Sequence, residues 1–189
     1  MFGMTDRKRW EDKHREVEFL GEPARFLEES FAHLPSGRAL DLACGLGANA
    51  LYLASRGFEV DALDWSIEGL SKLTLAARVR NLRVRALVCD VTRYPIPVSR
   101  YDVVICFRFL DRSLWQPMAR ALRPGGALLV ETYTLRHLDV RPKFPRPYCL
   151  EENELLDVFA KKLRVARYRE IPSETTASIL AFREGERAR

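Results

Sequence analysis

Apolar positions along the chain follow two alternating periods, and the alternation predicts the elements. Between residues 6 and 34 the spacing is helical: Trp10, Val17 and Leu20, then Phe26, Leu27 and Phe31, predict two short amphipathic helices broken at Gly21-Glu-Pro23. After Pro35-Ser-Gly37 the period changes. Residues 39–44 form a short apolar run entering a glycine turn, which predicts a buried strand, and residues 48–56 predict a helix stopped by Gly57. Residues 59–64 predict a second strand, with Ser66 as N-cap of a helix through Val79. Further strands are expected over residues 82–89, 101–107 and 126–131, with a helix over 112–122. A last helix is expected from near Glu151 to Lys161.

Strands alternating with helices imply parallel pairing through right-handed crossovers. The tail breaks that rhythm. Two β-rich runs, 163–170 and 176–182, are joined only by Ile171-Pro-Ser-Glu-Thr175. A parallel crossover takes a dozen or more residues, so this pair must be antiparallel. The expected fold class is α/β: a doubly wound, mostly parallel seven-stranded sheet closing in an antiparallel C-terminal hairpin. A length of 189 residues suits one compact domain. Residues 1–35 read as a helical lid segment and residues 36–189 as the binding domain.

Composition changes this picture little. No run approaches the roughly 18 apolar residues of a membrane span, and the N-terminus has no apolar core of a secretory signal. Cys44, Cys89, Cys106 and Cys149 are scattered without metal-ligand spacing, as expected of reduced, packed thiols in a cytoplasmic protein that carries no metal. The net charge of +5 permits an anionic partner without demanding one. The basic clusters (Arg78, Arg80, Arg83 and Arg85; Lys161, Lys162, Arg164, Arg167 and Arg169) are interleaved with apolar residues, as on solvated faces.

The chemistry gathers at strand ends. Asp41-Leu-Ala-Cys-Gly45-Leu-Gly47-Ala-Asn-Ala50 sets two glycines in a strand-to-helix turn, where the backbone approaches a ligand closely. Alone, Gly45-x-Gly47-x-x-Ala50 also satisfies the dinucleotide fingerprint. Three aspartates narrow it. Asp41, inside the first strand, is costly to bury without a cationic partner, such as the amino end of S-adenosylmethionine. Asp64 ends the second strand, where a carboxylate accepts ribose hydroxyls. Asp90 ends the third, in reach of an adenine amino group. Trp65 and Val91 follow them as an adenine sandwich, and Asn49 and Phe107 complete the expected cofactor set.

The stretches Leu40-Asp-Leu-Ala-Cys-Gly-Leu-Gly47, Ala62-Leu-Asp-Trp65, Val88-Cys-Asp90, Tyr101-Asp-Val-Val-Ile105 and Leu122-Arg-Pro-Gly-Gly126 resemble the successive motifs of the class I S-adenosylmethionine-dependent methyltransferases. The resemblance implies a Rossmann-like fold whose glycine loop (Gly45, Gly47) holds the methionine part, with Asp64 on the ribose and Asp90 on the adenine. Ala43 stands where many members have the first glycine. Phe109-Leu-Asp-Arg-Ser, Glu131-Thr-Tyr-Thr134 and residues 147–159 are similar to the tellurite-resistance and thiopurine-type small-molecule enzymes. The His-containing insertion that the tellurite-resistance members carry between the last two strands is replaced here by residues 171–175.

A sulfonium methyl group is transferred by in-line displacement, and a thiolate or chalcogen nucleophile needs alignment and desolvation more than a general base. No catalytic dyad is visible. Arg108 and Arg112 are candidates for attracting an anionic or thiolate-like small molecule, against the alternative that Asp111 and an arginine form a helix-initiation salt bridge. Tyr133 is a candidate pocket wall, and Trp10, with residues 11–15, a candidate lid over the cofactor. Residues 136–146 form a basic loop that keeps RNA or protein methylation open as a less favoured alternative. A nicotinamide oxidoreductase and a non-catalytic cofactor-binding protein are the remaining ones. Oligomeric state is not legible.

Overall fold

The computed structural model describes residues 4–17 and 20–185, with side chains of the first helix described at Lys8 and from Glu11 onward. Seven strands form one sheet: β1 (Arg38–Leu42), β2 (Glu59–Asp64), β3 (Val84–Val88), β4 (Tyr101–Phe107), β5 (Leu122–Tyr133), β6 (Arg164–Ile171) and β7 (Thr176–Phe182). Their order is β3-β2-β1-β4-β5-β7-β6. The first five pair in parallel, and β7 runs antiparallel between β5 and β6. The helices are α1 (Met4–Glu16), α2 (Arg25–Ser30), α3 (Ala48–Ala54), α4 (Ile67–Val79), α5 (Trp115–Ala121), α6 (His137–Val140) and α7 (Glu154–Phe159).

Alternate residues of the central strands feed two cores, as a pleated sheet covered on both faces requires. Ala39, Val60, Val103, Ile105 and Leu129 face Phe26, Leu27, Leu53 and Leu73 of α2–α4. Leu40, Leu42, Val104, Cys106 and Val130 face Met118, Leu155 and Phe159 of α5 and α7. Tyr101 and Asp102 serve the opposite edge from the glycine turn. The Tyr101 hydroxyl donates to the buried Asp61 at 2.9 Å, and Asp102 accepts the Arg38 amide at 2.7 Å.

The structure moves several element ends. β5 starts at Leu122 rather than Gly126, because Leu122 already pairs with Tyr101 before a register shift. A side chain at Gly126 would lie 3.1 Å from the Asp102 carbonyl, so glycine permits the strand to continue there. The helix expected over 112–122 is a 3₁₀ turn, Arg112–Leu114, followed by α5. The helix expected from Glu151 starts at Glu154, after Asn153 in a left-handed conformation, with the Glu154 carboxylate accepting the Glu151 amide. Within the loop 136–146 lies α6, an element the hydropathy pattern did not predict.

Candidate active site

The parallel strands all deliver their C-terminal ends to one edge, where open α/β sheets bind ligands. After β1, three residues turn left-handed: Ala43 at φ 55°, Gly45 at 56° and Gly47 at 81°. Ala43 thus occupies a conformation that favours glycine, which accounts for the residue many related loops place there. A Cβ on Gly47 would collide with Leu73 of α4 at 2.4 Å, so this glycine serves helix packing. Gly69, which the motif reading passed over, has the same purpose: its Cβ would meet the Gly45 carbonyl at 2.7 Å.

Asp64 organises the loop. Its Oδ2 accepts the Gly45 amide at 2.8 Å and its Oδ1 the Ser66 amide at 2.9 Å. Burial raises its pKa above the usual carboxylate range, and these backbone amides restrain the rise. Ser66 caps α4 by accepting the Gly69 amide at 3.0 Å. From α1, the Glu11 carboxylate accepts the Ile67 amide at 3.1 Å, an anion at a helix N-terminus. His14 Nδ1 lies 2.8 Å from Ser66 Oγ, and the Lys72 ammonium donates to the carbonyls of His14 and Val17, both at 2.6 Å. The second half of α1 is therefore fastened across the start of α4, with His14 3.6 Å from where a Gly45 side chain would begin. The Trp10 side chain lies outside the described residues.

Asp41 is different. It is 1% exposed, and its Oδ2 has no hydrogen-bond partner. Burial and the neighbouring Asp64 charge hold it protonated well above the usual range, countered only by the Ala50 amide. Such a carboxyl fits a ligand that brings a cation, and S-adenosylmethionine has one in its amino group. At the end of β3, Asp90 Oδ1 accepts the Thr92 amide at 3.0 Å and the Thr92 hydroxyl at 2.7 Å. Trp65 is half-buried, and Val91 and Phe107 are buried. Asn49 is engaged away from the loop, where its Oδ1 accepts the Ala24 amide at 2.8 Å and fixes the entry to α2.

The ends of β4 and β5 form a second group. Arg108 lies 3.1 Å from the buried Glu131 carboxylate, which also accepts the Ser178 hydroxyl at 2.5 Å. The Arg108 guanidinium sits 5.1 Å from the centre of the Tyr133 ring. Tyr133 stacks on His137 at 3.9 Å, and Phe144 meets both rings edge-on. His137 Nδ1 is 2.9 Å from Thr175 Oγ1, in the turn between β6 and β7. Arg112 and Asp111 are both engaged in contacts within the chain. Arg112 grips Glu154 bidentately at 2.6 and 2.9 Å and donates to the carbonyls of Pro147 and Cys149, so its donors are committed to fastening α7. Asp111 caps the 3₁₀ turn by accepting the Ser113 amide at 2.9 Å and lies near enough to Arg112 to favour its charged form.

Sequence reasoning missed Glu131, His137 and Phe144. Glu131 carried a signal, being an acidic residue ending an apolar strand run, as Asp64 is. His137 lay four residues beyond Tyr133 in a loop read only for its charge. The four cysteines are free, and burial pushes the thiols up (Cys89 to about 11), so none is an activated nucleophile.

The sheet order is decisive for the cofactor type. A dinucleotide fold continues in parallel to β6 beside β5, whereas here an antiparallel β7 is inserted at that place. Residues 39–126 match the methyltransferase domain family. The chain is thus similar to the class I S-adenosylmethionine-dependent methyltransferases. Among curated relatives, the probable S-adenosylmethionine-dependent methyltransferase TehB of Haemophilus influenzae is 28% identical over 129 residues, covering 65% of this chain and 44% of the relative. The ubiquinone biosynthesis O-methyltransferase of Burkholderia vietnamiensis is 31% identical over 134 residues, covering 66% and 57%. The chain thus spans about half the length of these relatives. Geranyl diphosphate C-methyltransferase of Streptomyces coelicolor, solved with S-adenosylhomocysteine, shares the fold at a TM-score of 0.74 and 14% identity, covering 94% of this chain and 98% of that one. No described helix is long and apolar enough to cross a membrane.

Proposed function

We propose that the chain transfers the methyl group of S-adenosylmethionine to a small-molecule acceptor in the cytoplasm, the acceptor atom being a thiol sulfur or a chalcogen or metalloid oxyanion. The buried Asp41 carboxyl, whose Oδ2 has no hydrogen-bond partner among the described residues, carries this reading, because leaving that oxygen bare is costly without a cation. The cofactor supplies an electrophilic carbon on a sulfonium. Around it, the loop from Ala43 to Gly47 lies along the methionine part, Asp64 takes the ribose and Asp90 the adenine. Trp65, Val91 and Phe107 wall the base. Asp64 accepts the backbone amides of Gly45, Ser66 and Trp65, which leaves one of a carboxylate's roughly four lone-pair sites for a hydroxyl. The N-terminal segment, residues 1–35, closes over this site, a reading supported by the docking of Glu11 and His14 on Ser66. Arg108 is half-exposed and anchored by Glu131, which suits it to face an anionic or thiolate acceptor.

Calorimetry with S-adenosylhomocysteine tests the first part. Binding is expected, and its absence, with NAD bound instead, sinks the reading. Transfer of labelled methyl to phenylmethanethiol and to selenite then tests the acceptor class. Label appearing only in RNA or protein would move the acceptor to a polymer.

A further inference from the structure

His137 stands out among the groups that cofactor binding does not use. It is 6% exposed, and its Nε2 is buried with no hydrogen-bond partner among the described residues. The ring is otherwise tightly specified: stacked on Tyr133, edge-on to Phe144, and with Nδ1 against Thr175 Oγ1. A phenylalanine would fill the same stack without burying a bare nitrogen. An imidazole there points to a ligand that reaches Nε2. The position fits. Tyr133 ends β5 and lies against Arg108, and β4, which Arg108 follows, pairs directly with β1, which leads into the glycine loop.

We propose that His137 Nε2 is the proton acceptor for the methyl acceptor, which is therefore a protonated thiol or phenolic hydroxyl rather than an oxyanion. The proposal rests on the methyl-transfer reading above; it keeps the thiol, removes the oxyanion and adds a phenolic hydroxyl to the acceptor class. In the assigned tautomer Nδ1–H donates to Thr175 Oγ1, which leaves the Nε2 lone pair free. The acceptor heteroatom forms its bond to the methyl carbon as the carbon–sulfur bond of the sulfonium breaks. The sulfonium leaves as a neutral thioether, and the acceptor's proton passes to Nε2, giving an imidazolium that later releases it to water. The cationic groups facing His137 are Arg141, at the end of its own helix, and Arg108, after β4; Tyr133 and Thr175 are its other polar neighbours. Burial and the two arginines hold the imidazole below its ordinary value, hence neutral and able to accept at neutral pH. Arg108 at the same time favours the anionic form of the acceptor as it loses its proton.

The test is imidazole ¹⁵N NMR on the full chain, which has three histidines. His137 is assigned from the spectrum of His137→Gln or, should that variant not fold, by elimination with His14→Gln and His33→Gln. Expected at pH 7.5 are a protonated Nδ1 and a bare Nε2. The Nε2 resonance should then shift when phenol or phenylmethanethiol is added to the S-adenosylhomocysteine complex. A proton resident on Nε2, or an Nε2 resonance unmoved by both probes in that complex, overturns the assignment. Failure of S-adenosylhomocysteine to bind at all would instead overturn the methyl-transfer reading, and calorimetry on the same sample separates the two outcomes.

Discussion

The tips of β1–β3 and the tips of β4–β5 solve the same problem, holding polar groups at a buried sheet edge, in different ways. At the first, carboxylates are satisfied by backbone amides a few residues away or in the adjoining loop: Asp64 by Gly45 and Ser66, Asp90 by Thr92. At the second, side chains are held by partners far along the chain: Arg108 by Glu131, His137 by Thr175, Arg112 by Glu154. Local backbone bonds make a rigid, reusable cradle for a ligand of fixed shape. Long-range side-chain bonds make a surface that changes with each substitution, as suits a variable acceptor. Each group also includes a buried atom without a hydrogen-bond partner among the described residues, such as Asp41 Oδ2 in the first and His137 Nε2 in the second.

The largest expected effect comes from breaking the cradle through packing. Gly69→Val would push a side chain onto the Gly45 carbonyl, at 2.7 Å already from its first carbon. We expect a loss of about 2–3 kcal/mol in stability, seen in urea unfolding, together with loss of S-adenosylhomocysteine binding. A variant that binds normally would show that α4 does not set the loop. Asp64→Ala comes next, with cofactor affinity weaker by roughly 1–3 kcal/mol in calorimetry, since the ribose contact and the support of the Gly45 amide go together. Unchanged affinity would place the nucleoside elsewhere.

Arg112→Ala should sharpen the contrast. It removes a partly exposed ion pair and two carbonyl bonds, costing about 1–2 kcal/mol in thermal or urea unfolding, while cofactor affinity stays unchanged. A fall in affinity would mean the two groups are coupled. The smallest effect has the opposite sign. Burial raises the folded-state value of Asp41 above its ordinary 3.8. Its share of stability is therefore complete below the unfolded value and lost as pH rises through the folded one. Asp41→Asn, which cannot ionise, should gain about 1 kcal/mol at neutral pH, lose that gain as pH falls toward about 4, and lose cofactor affinity. A less stable variant at pH 7 would mean that Asp41 is paired in solution.

The candidate cofactor half rests on short-range signals in the sequence. A glycine pair after an apolar run, aspartates ending strands, and a five-residue link too short for a parallel crossover each lie within a few consecutive residues. Even so, Asn49 sat in the right turn and points to Ala24, which no local pattern records. Gly69 looked like an ordinary helix residue, although backbone from a turn over twenty residues earlier lies against it. The start of β5 at Leu122 was hidden by Pro124-Gly125, which reads as a stop but here only shifts the register.

The sequence by itself determined the alternation of strands and helices, the antiparallel close and the placing of Asp41, Asp64 and Asp90 toward one edge of the sheet, because hydrophobic period and loop length act locally on the backbone. Only the tertiary structure decided what each polar side chain does. It bound Arg112 to Glu154, brought Thr175 to His137 and left one oxygen of Asp41 without a partner among the described residues, since burial and pairing depend on residues that meet only once the sheet has formed.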